Sequence, residues 1–339
     1  MLTPDPPVLS VQDLKIWFDL DEGCVRAVDG ISFDLLRGQT LAIVGESGCG
    51  KSMTALGILR LVNPPGHTVG GRILLNRAPA GQPEQVIDLA AIDPHARMLQ
   101  SIRGSRIALV FQEPMASFSP VYTVGNQIIE AIRLHQSLGR KEARAKAIEM
   151  LRKVGVSVPE RRVDQYPHEL SGGLLQRAMI AMALVCRPDV LIADEPTTAL
   201  DVTTQAQILA LLRDLQRESN MAIVLITHDL GLVAQIADYV LVMYLGRAVE
   251  YAPVDAIFHD PKHPYTRALL HSVPNAHSSS REPLATIAGR IPHPMHRPGG
   301  CPFHDRCTEF MPGKCDRFEP KLLSVAADHQ VSCFLHNLP

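Results

Sequence analysis

Apolar and polar residues alternate along two segments near the start of the chain, Val8–Trp17 and Ala27–Leu35. Alternation with a period of two predicts strands with one buried face. Further along, short continuous apolar runs such as Val190–Ala193 and Ala222–Thr227 are typical of strands buried on both faces. Segments with helical spacing separate these runs. The pattern therefore predicts an α/β fold with a mostly parallel sheet covered by helices and an antiparallel part at the front.

A second pattern interrupts this alternation over residues 113–170. Apolar positions recur with helical spacing from Thr123 to Gly155, which predicts an inserted helical subdomain. Toward the C-terminus the chain becomes rich in His, and residues 275–300 have the Pro, His, Ser and Gly content of an extended linker. We therefore predict one domain over residues 1–250 and a C-terminal extension over residues 251–339.

Composition restricts the partners that this chain can have. The net charge of -2 and the pI of about 6.7 provide no positive field of the kind that holds nucleic acid, so we expect no nucleic-acid partner. No apolar stretch reaches the length of about 20 residues that a membrane-spanning helix needs. The first residues also lack the pattern of a signal peptide. We expect the chain to remain in the cytoplasm and to reach a membrane only through partner proteins.

A glycine-rich sequence lies between a predicted strand, which ends at Val44, and a predicted helix. It matches the P-loop pattern, in which glycines let backbone N–H groups turn toward phosphate oxygens and the helix N-terminus adds partial positive charge. Lys51 would reach the β- and γ-phosphates, and Ser52 would supply a hydroxyl to Mg²⁺. We predict that ATP and Mg²⁺ bind here, through Gly45, Glu46, Ser47, Gly48, Cys49, Gly50, Lys51, Ser52 and Met53.

Cys49 lies inside this loop, just before the predicted helix. Because helix N-termini lower the pKa of thiols, we expect alkylation of Cys49 to block ATP binding and bound ATP to protect it. The alternative is an inert loop thiol.

Two further groups of residues suggest anion and metal chemistry. Asp194 and Glu195 follow the apolar run of a predicted strand. Asp194 would join the Mg²⁺ shell, and Glu195, which faces differently, would act as general base on the attacking water. The segment Ser171–Gly173 opens a predicted helix, where a hydroxyl and two glycine N–H groups would form either a second anion site or an ordinary helix cap.

In order and spacing, these motifs resemble the ATP-binding subunits of ABC transporters. The residues that carry the resemblance are the P-loop Gly45–Ser52, Gln112, Leu170–Gly173, Asp194–Glu195, Ala199–Asp201 and Thr227–Asp229. The resemblance implies a RecA-like P-loop core with an antiparallel β subdomain, an inserted helical subdomain and a C-terminal extension. It also implies that the chain is an ATPase.

The same resemblance implies roles for individual residues. Gln112 would bind Mg²⁺ with Ser52 and Asp194, His228 would contact the γ-phosphate, and Asp201 would be the acid of the D-loop. Phe18 would stack on adenine, although Phe18 and Trp17 are also candidates for core packing. Ser171, Gly172 and Gly173 would close over ATP held by a second subunit, beside a Leu174 where the family often has Gln. The implied catalytic residues are Lys51, Gln112, Glu195 and His228.

Two later segments, Pro261–Leu270 and Cys301–Cys307, resemble the ATPase subunits of dipeptide and oligopeptide importers. The resemblance implies ATP-driven peptide import at the cytoplasmic face of the inner membrane. The implied partners are two transmembrane permease subunits, a second and commonly non-identical ATPase, and an extracytoplasmic substrate-binding protein. Nickel importers share much of the pattern and remain an alternative. A soluble non-transport ABC ATPase is a further alternative, but it would normally show two cassettes in one chain or basic patches.

The extension also carries four cysteines, Cys301, Cys307, Cys315 and Cys333. The resemblance implies that they hold an iron–sulfur cluster, and four thiolates are a suitable ligand set for [4Fe–4S]. Their spacing lacks the close pairs of ordinary structural zinc sites, although zinc is possible with help from His304 and His336. Free thiols in a small module are the third possibility.

Overall fold

The structure is a computed structural model that describes residues 6–77, 85–198, 200–272 and 287–336. Its strands are β1 (Leu9–Leu20), β2 (Gly23–Leu35), β3 (Thr40–Val44), β4 (Gly66–Arg77), β5 (Gln85–Asp88), β6 (Ile107–Val110), β7 (Val190–Asp194), β8 (Ala222–Ile226), β9 (Tyr239–Tyr244), β10 (Arg247–Pro253), β11 (Leu323–Ala326) and β12 (His329–Val331). Its helices are α1 (Lys51–Ile58), α2 (Arg97–Ile102), α3 (Pro114–Ser117), α4 (Val124–His135), α5 (Arg140–Lys153), α6 (Pro159–Arg162), α7 (Gly172–Leu184), α8 (Val202–Ser219), α9 (Leu230–Ile236), α10 (Val254–His259) and α11 (Pro264–His271).

By its contacts the chain divides into two compact units. The first comprises residues 1–9, 35–39 and 92–225, and the second comprises residues 10–34, 40–91 and 226–339. β10 crosses position 250, so the residues on both sides of the predicted domain boundary belong to the second unit. Most of the predicted linker, residues 273–286, lies outside the described residues, as does Ala199.

In the first unit, β8, β7 and β6 are neighbours in this order, and β6 runs parallel to β7 with Ile107 opposite Val190. Every residue of Val190–Ala193 is buried, which confirms the interpretation of that continuous apolar run. The helices α3 to α6 occupy the segment whose spacing predicted helices, and α4, α5 and α7 pack together. Ile128 and Leu151 lie in this helical packing and are fully buried.

The second unit contains a four-stranded sheet in the order β2-β1-β4-β5, in which β4 and β5 pair antiparallel. It also contains a set of strands in the order β11-β12-β10-β9-β3. β3 runs parallel to β9, with Leu41 opposite Tyr239, whereas β9 and β10 form an antiparallel pair. β12 pairs antiparallel with β10, with Glu250 opposite Val331. The sequence pattern did not predict β10, β11 and β12; of these, β11 and β12 are too short to show a periodicity.

One hydrophobic core in the second unit joins the strand before the P-loop to the C-terminal extension. It contains Ala42 and Val44 of β3 together with Phe303, Cys301 and Cys315 of the extension. Its centre is a group of three buried aromatic rings whose centroids lie 4.7 to 5.3 Å apart: Tyr244, Tyr265 and Phe303. The extension therefore packs onto the strand that carries the P-loop.

Candidate active site

The P-loop connects the end of β3 to the start of α1, as predicted. Two of its glycines are required by close backbone approaches. A Cβ atom at Gly45 would lie 2.2 Å from the carbonyl oxygen of Met243, and one at Gly50 would lie 2.2 Å from that of Ala27. Both residues also have positive φ angles, of 150° and 104°, which side-chain-bearing residues rarely adopt.

Lys51 is the first residue of α1, and only 6% of its surface is exposed. Its ammonium group donates hydrogen bonds to the carbonyl oxygens of Gly45 at 2.7 Å and Glu46 at 3.2 Å. Ser52, the next residue, is exposed at the start of the helix. The backbone carbonyls of the loop therefore hold the Lys51 ammonium group next to a helix N-terminus, which is suited to binding phosphate.

Cys49 does not have the character that its sequence position predicts. Its side chain is buried, with 4% of the residue exposed, and burial raises the pKa of its thiol. The positive charge of Lys51 acts in the opposite direction but is the smaller effect. The expectation of a reactive thiol with a lowered pKa is wrong, because desolvation of a thiolate outweighs the helix N-terminus here.

In the first unit, the acidic pair stands at the end of β7, where Asp194 is the last residue of the strand. Glu195 has a φ angle of 47°, in the left-handed region that non-glycine residues seldom adopt. Its carboxylate accepts hydrogen bonds from the Gln112 amide at 3.0 Å and from the Thr198 hydroxyl at 2.9 Å. The structure thus brings together two predicted site residues, and it adds Thr198, which sequence reasoning missed.

Ser171 occupies the N-cap position of α7, but its hydroxyl makes no capping hydrogen bond in the part of the chain described. Ser171 and Gly172 are exposed, and no atom lies within 4 Å of a Cβ built at Gly172. One turn further on, the buried side chain of Gln176 donates a 2.5 Å hydrogen bond to the carbonyl of Pro196, which immediately follows Glu195. This link between the two motifs was not evident from the sequence.

The remaining predicted residues lie on helix ends and on β1. Asp201 caps α8 and accepts hydrogen bonds from the hydroxyl of Thr204 at 2.7 Å and its N–H at 3.0 Å, which lower the Asp201 pKa. His228 is exposed between β8 and α9, in the same unit as the P-loop. Phe18 is half-buried and packs on Gly66 of β4, whose built Cβ would lie 2.5 Å from its ring.

The family model of the ABC transporter matches residues 28–198. The chain belongs to the ABC transporter family. A second family model, the oligopeptide/dipeptide transporter C-terminal region, matches residues 249–315.

Relatives of this ABC family member extend over nearly the whole chain. A probable peptide ABC transporter ATP-binding protein of Sinorhizobium fredii is 47% identical, with 97% of this chain and 95% of that protein covered. The dipeptide transport ATP-binding proteins DppD of Bacillus subtilis and Escherichia coli are each 46% identical; the alignments cover 97% and 96% of this chain and 95% and 96% of those proteins.

Solved structures show the same fold. The dimeric bacterial ABC transporter cassette MJ0796 has a TM-score of 0.62 and 25% identity, covering 73% of this chain and 98% of that chain. The cbiO1 protein of Clostridium perfringens has a TM-score of 0.59 and 28% identity, covering 76% and 92%. The predicted P-loop ABC fold is thereby confirmed. None of the helices in the described ranges is long and apolar enough to cross a membrane.

The four cysteines of the extension lie close together. Cys301, Cys315 and Cys333 are buried, and the Cys301 N–H donates a 2.8 Å hydrogen bond to the Cys315 carbonyl. Burial raises the pKa of Cys301 to about 12 and that of Cys333 to about 11, with contributions from neighbouring thiols in the group. Among the described residues, no group of three or more His, Cys, Asp and Glu side chains is arranged to hold a metal ion, which supports neither the predicted iron–sulfur cluster nor the zinc alternative.

Proposed function

We propose that this chain is the ATP-hydrolysing subunit that energises import of dipeptides or oligopeptides through a multi-subunit ABC transporter. The observation that carries the proposal is near-full-length similarity, at 46% identity, to dipeptide transport ATP-binding proteins. The C-terminal segment that matches the oligopeptide/dipeptide transporter region supports the same substrate class. Its start at residue 249 also supports a division of the sequence into segments 1–250 and 251–339.

In the proposed reaction, the P-loop amides and Lys51 bind the phosphates of ATP. Ser52, Gln112 and Asp194 would hold Mg²⁺, which when bound would neutralise charge on the phosphates. Most of the catalysis is then positioning and charge stabilisation rather than covalent chemistry.

Glu195 is the proposed general base. Gln112 and Thr198 fix its carboxylate, which then orients and deprotonates the water that attacks the γ-phosphorus. His228 contacts the γ-phosphate and stabilises charge that develops there. Phe18 stacks on the adenine ring, for which its place on β1 in the P-loop's own unit is suitable.

The exposed start of α7 supports a site that acts on a second subunit. This helix start presents a hydroxyl and backbone N–H groups, from Ser171, Gly172 and Gly173, and the Ser171 side chain makes no capping hydrogen bond to these N–H groups. We place them over ATP held by a partner ATPase, commonly a non-identical one. Asp201 lies at the same dimer contact, and two transmembrane permeases and an extracytoplasmic binding protein complete the transporter. The chain would work at the cytoplasmic face of the inner membrane.

For the extension we propose a [4Fe–4S] cluster held by Cys301, Cys307, Cys315 and Cys333. The four thiols lie close together, since neighbouring thiols add to the effect of burial in raising the pKa values of Cys301, Cys307 and Cys333. Four thiolates are the ligand set such a cluster requires. Cluster binding would replace the thiol protons. Iron and sulfide assay of anaerobically purified protein tests this, and a colourless, iron-free preparation would refute it.

Co-expression with the permeases that accompany it tests the main proposal. Proteoliposomes that contain the assembled complex and its binding protein should transport labelled dipeptide only when ATP is present on the side of the membrane where this chain lies. Nickel uptake without peptide uptake would instead favour the nickel-importer alternative. A chain that hydrolyses ATP but binds no permease would favour a soluble ABC ATPase.

A further inference from the structure

An arginine of the C-terminal extension contacts the P-loop directly. Arg306 lies in a short 3-10 turn, His304–Arg306, between Cys301 and Cys307. Its guanidinium donates to both carboxylate oxygens of Glu46, at 2.7 and 3.0 Å. This bidentate geometry is the strongest form of an arginine–carboxylate pair.

The extension and β9 hold Arg306 firmly. Only 8% of the residue is exposed, and its Nε donates a 3.0 Å hydrogen bond to the carbonyl of Ala288. A further N–H lies 3.3 Å from the hydroxyl oxygen of Tyr244, and the guanidinium carbon lies 6.0 Å from the centroid of the Phe303 ring. A buried arginine with this many partners has little freedom to leave Glu46.

The extension also binds the backbone of Glu46. Its N–H donates a 2.9 Å hydrogen bond to the hydroxyl oxygen of Tyr265, a buried residue of α11. Its carbonyl oxygen accepts from the Lys51 ammonium. The Glu46 residue is thus held at its side chain by Arg306 and at its N–H by Tyr265, while its carbonyl contacts the cation that would bind phosphate.

We propose that Arg306 and Tyr265 are positioning residues for ATP binding: through Glu46 they preset the P-loop and the location of Lys51. The C-terminal extension is then part of the nucleotide site's support. This inference rests on the proposed binding of ATP at the P-loop. A loop fixed in advance loses less freedom when the ligand binds, so loss of these contacts should weaken ATP binding more than it slows the chemical step.

The test measures KM and kcat for ATP in the assembled transporter, and nucleotide affinity of the purified full chain by titration with a fluorescent ATP analogue. Arg306→Met and Tyr265→Phe should each raise KM and Kd by about tenfold, as expected for a lost hydrogen bond to a charged or buried group. The kcat should change by less than about twofold. Arg306→Lys should restore part of the affinity.

Arg297→Met is the matched control. Arg297 also belongs to the extension and pairs with Asp29 and Glu319, but not with a P-loop residue. It should lower Tm without changing KM. If Arg306→Met lowers Tm and leaves KM and Kd unchanged, as in the control, Arg306 only stabilises the fold and the inference is overturned.

A double-mutant cycle tests the coupling between Glu46 and Arg306 independently. Glu46→Gln combined with Arg306→Met should cost little more affinity than either change alone, because the two residues act through one contact. Additive losses would overturn the proposed coupling. ATP binding that survives Lys51→Ala in an otherwise wild-type chain would refute the proposed function itself, which distinguishes the two failures.

Discussion

The two loops that carry the chemistry are built in different ways. The P-loop at the end of β3 is held by buried contacts. Gly45, Gly50 and Lys51 lie against carbonyl groups, and the buried side chains of Arg306 and Tyr265 bind Glu46. The Glu195 loop at the end of β7 is held at its carboxylate by the exposed side chains of Gln112 and Thr198. The first arrangement leaves little room for adjustment, whereas the second can change when a side chain rotates.

This difference corresponds to two tasks. Binding phosphate requires a fixed set of N–H groups, and the buried packing of the P-loop would supply it. In the proposed reaction water is activated at only one stage, so a base held by the exposed side chains of Gln112 and Thr198 would be free to align or be released.

The largest effect is expected when the base is removed and the P-loop is left intact. Glu195→Gln keeps the shape and still accepts a hydrogen bond from Gln112, but it cannot take a proton. We expect kcat for ATP to fall by about 10²- to 10⁴-fold, as for loss of a general base. ATP binding should persist and trap a dimer that size-exclusion chromatography detects. Near-normal turnover would show that Glu195 is not the base.

The next largest effect is expected when a substitution disrupts the backbone packing of the P-loop. In Gly45→Ala, the new methyl group would lie 2.2 Å from the Met243 carbonyl oxygen, so the backbone must shift. We expect the free energy of unfolding to fall by about 3 kcal/mol and ATP binding to be lost. Gly48→Ala is the matched control, because it has a positive φ angle but nothing within 4 Å of the added atom. It should cost about 1 kcal/mol in denaturant titration. Equal losses of stability in the two variants would show that the positive φ angle, and not the close carbonyl contact, determines the loss.

Motifs formed by residues adjacent in the chain could be predicted from the sequence, whereas contacts between distant residues could not. The P-loop, the acidic pair and the α/β alternation were predictable, because each depends on residues adjacent in the chain. The contacts of Glu46 with Arg306 and Tyr265 were not, since they join residues more than two hundred positions apart and belong to no motif. Cys49 was misjudged because its thiol is buried beside Gly45, whereas the sequence shows only its position before a helix.

A smaller effect should follow from loosening the side-chain support of Glu195. Thr198→Val removes the hydroxyl that donates to its carboxylate but keeps the size of the side chain. Because Thr198 is exposed, we expect kcat to fall only about threefold to tenfold with KM unchanged. Thr203→Val, at an exposed position on α8, is the control and should leave both constants unaltered. A change in KM alone would place Thr198 in binding instead.

The smallest effect is expected for alkylation of the P-loop thiol. Burial raises the Cys49 pKa above its ordinary value of 9.0, so near pH 7.5 the thiol is both protonated and shielded from reagent. Iodoacetamide should modify the exposed Cys24 of the native chain and leave Cys49 and ATP binding intact, whereas the denatured chain should be modified at all seven cysteines. Peptide mass mapping distinguishes the sites, and Cys24→Ser removes the background reaction. If Cys49 reacts as fast as Cys24 and ATP slows that reaction, then the P-loop opens in solution, and the contrast between a fixed binding loop and an adjustable catalytic loop fails.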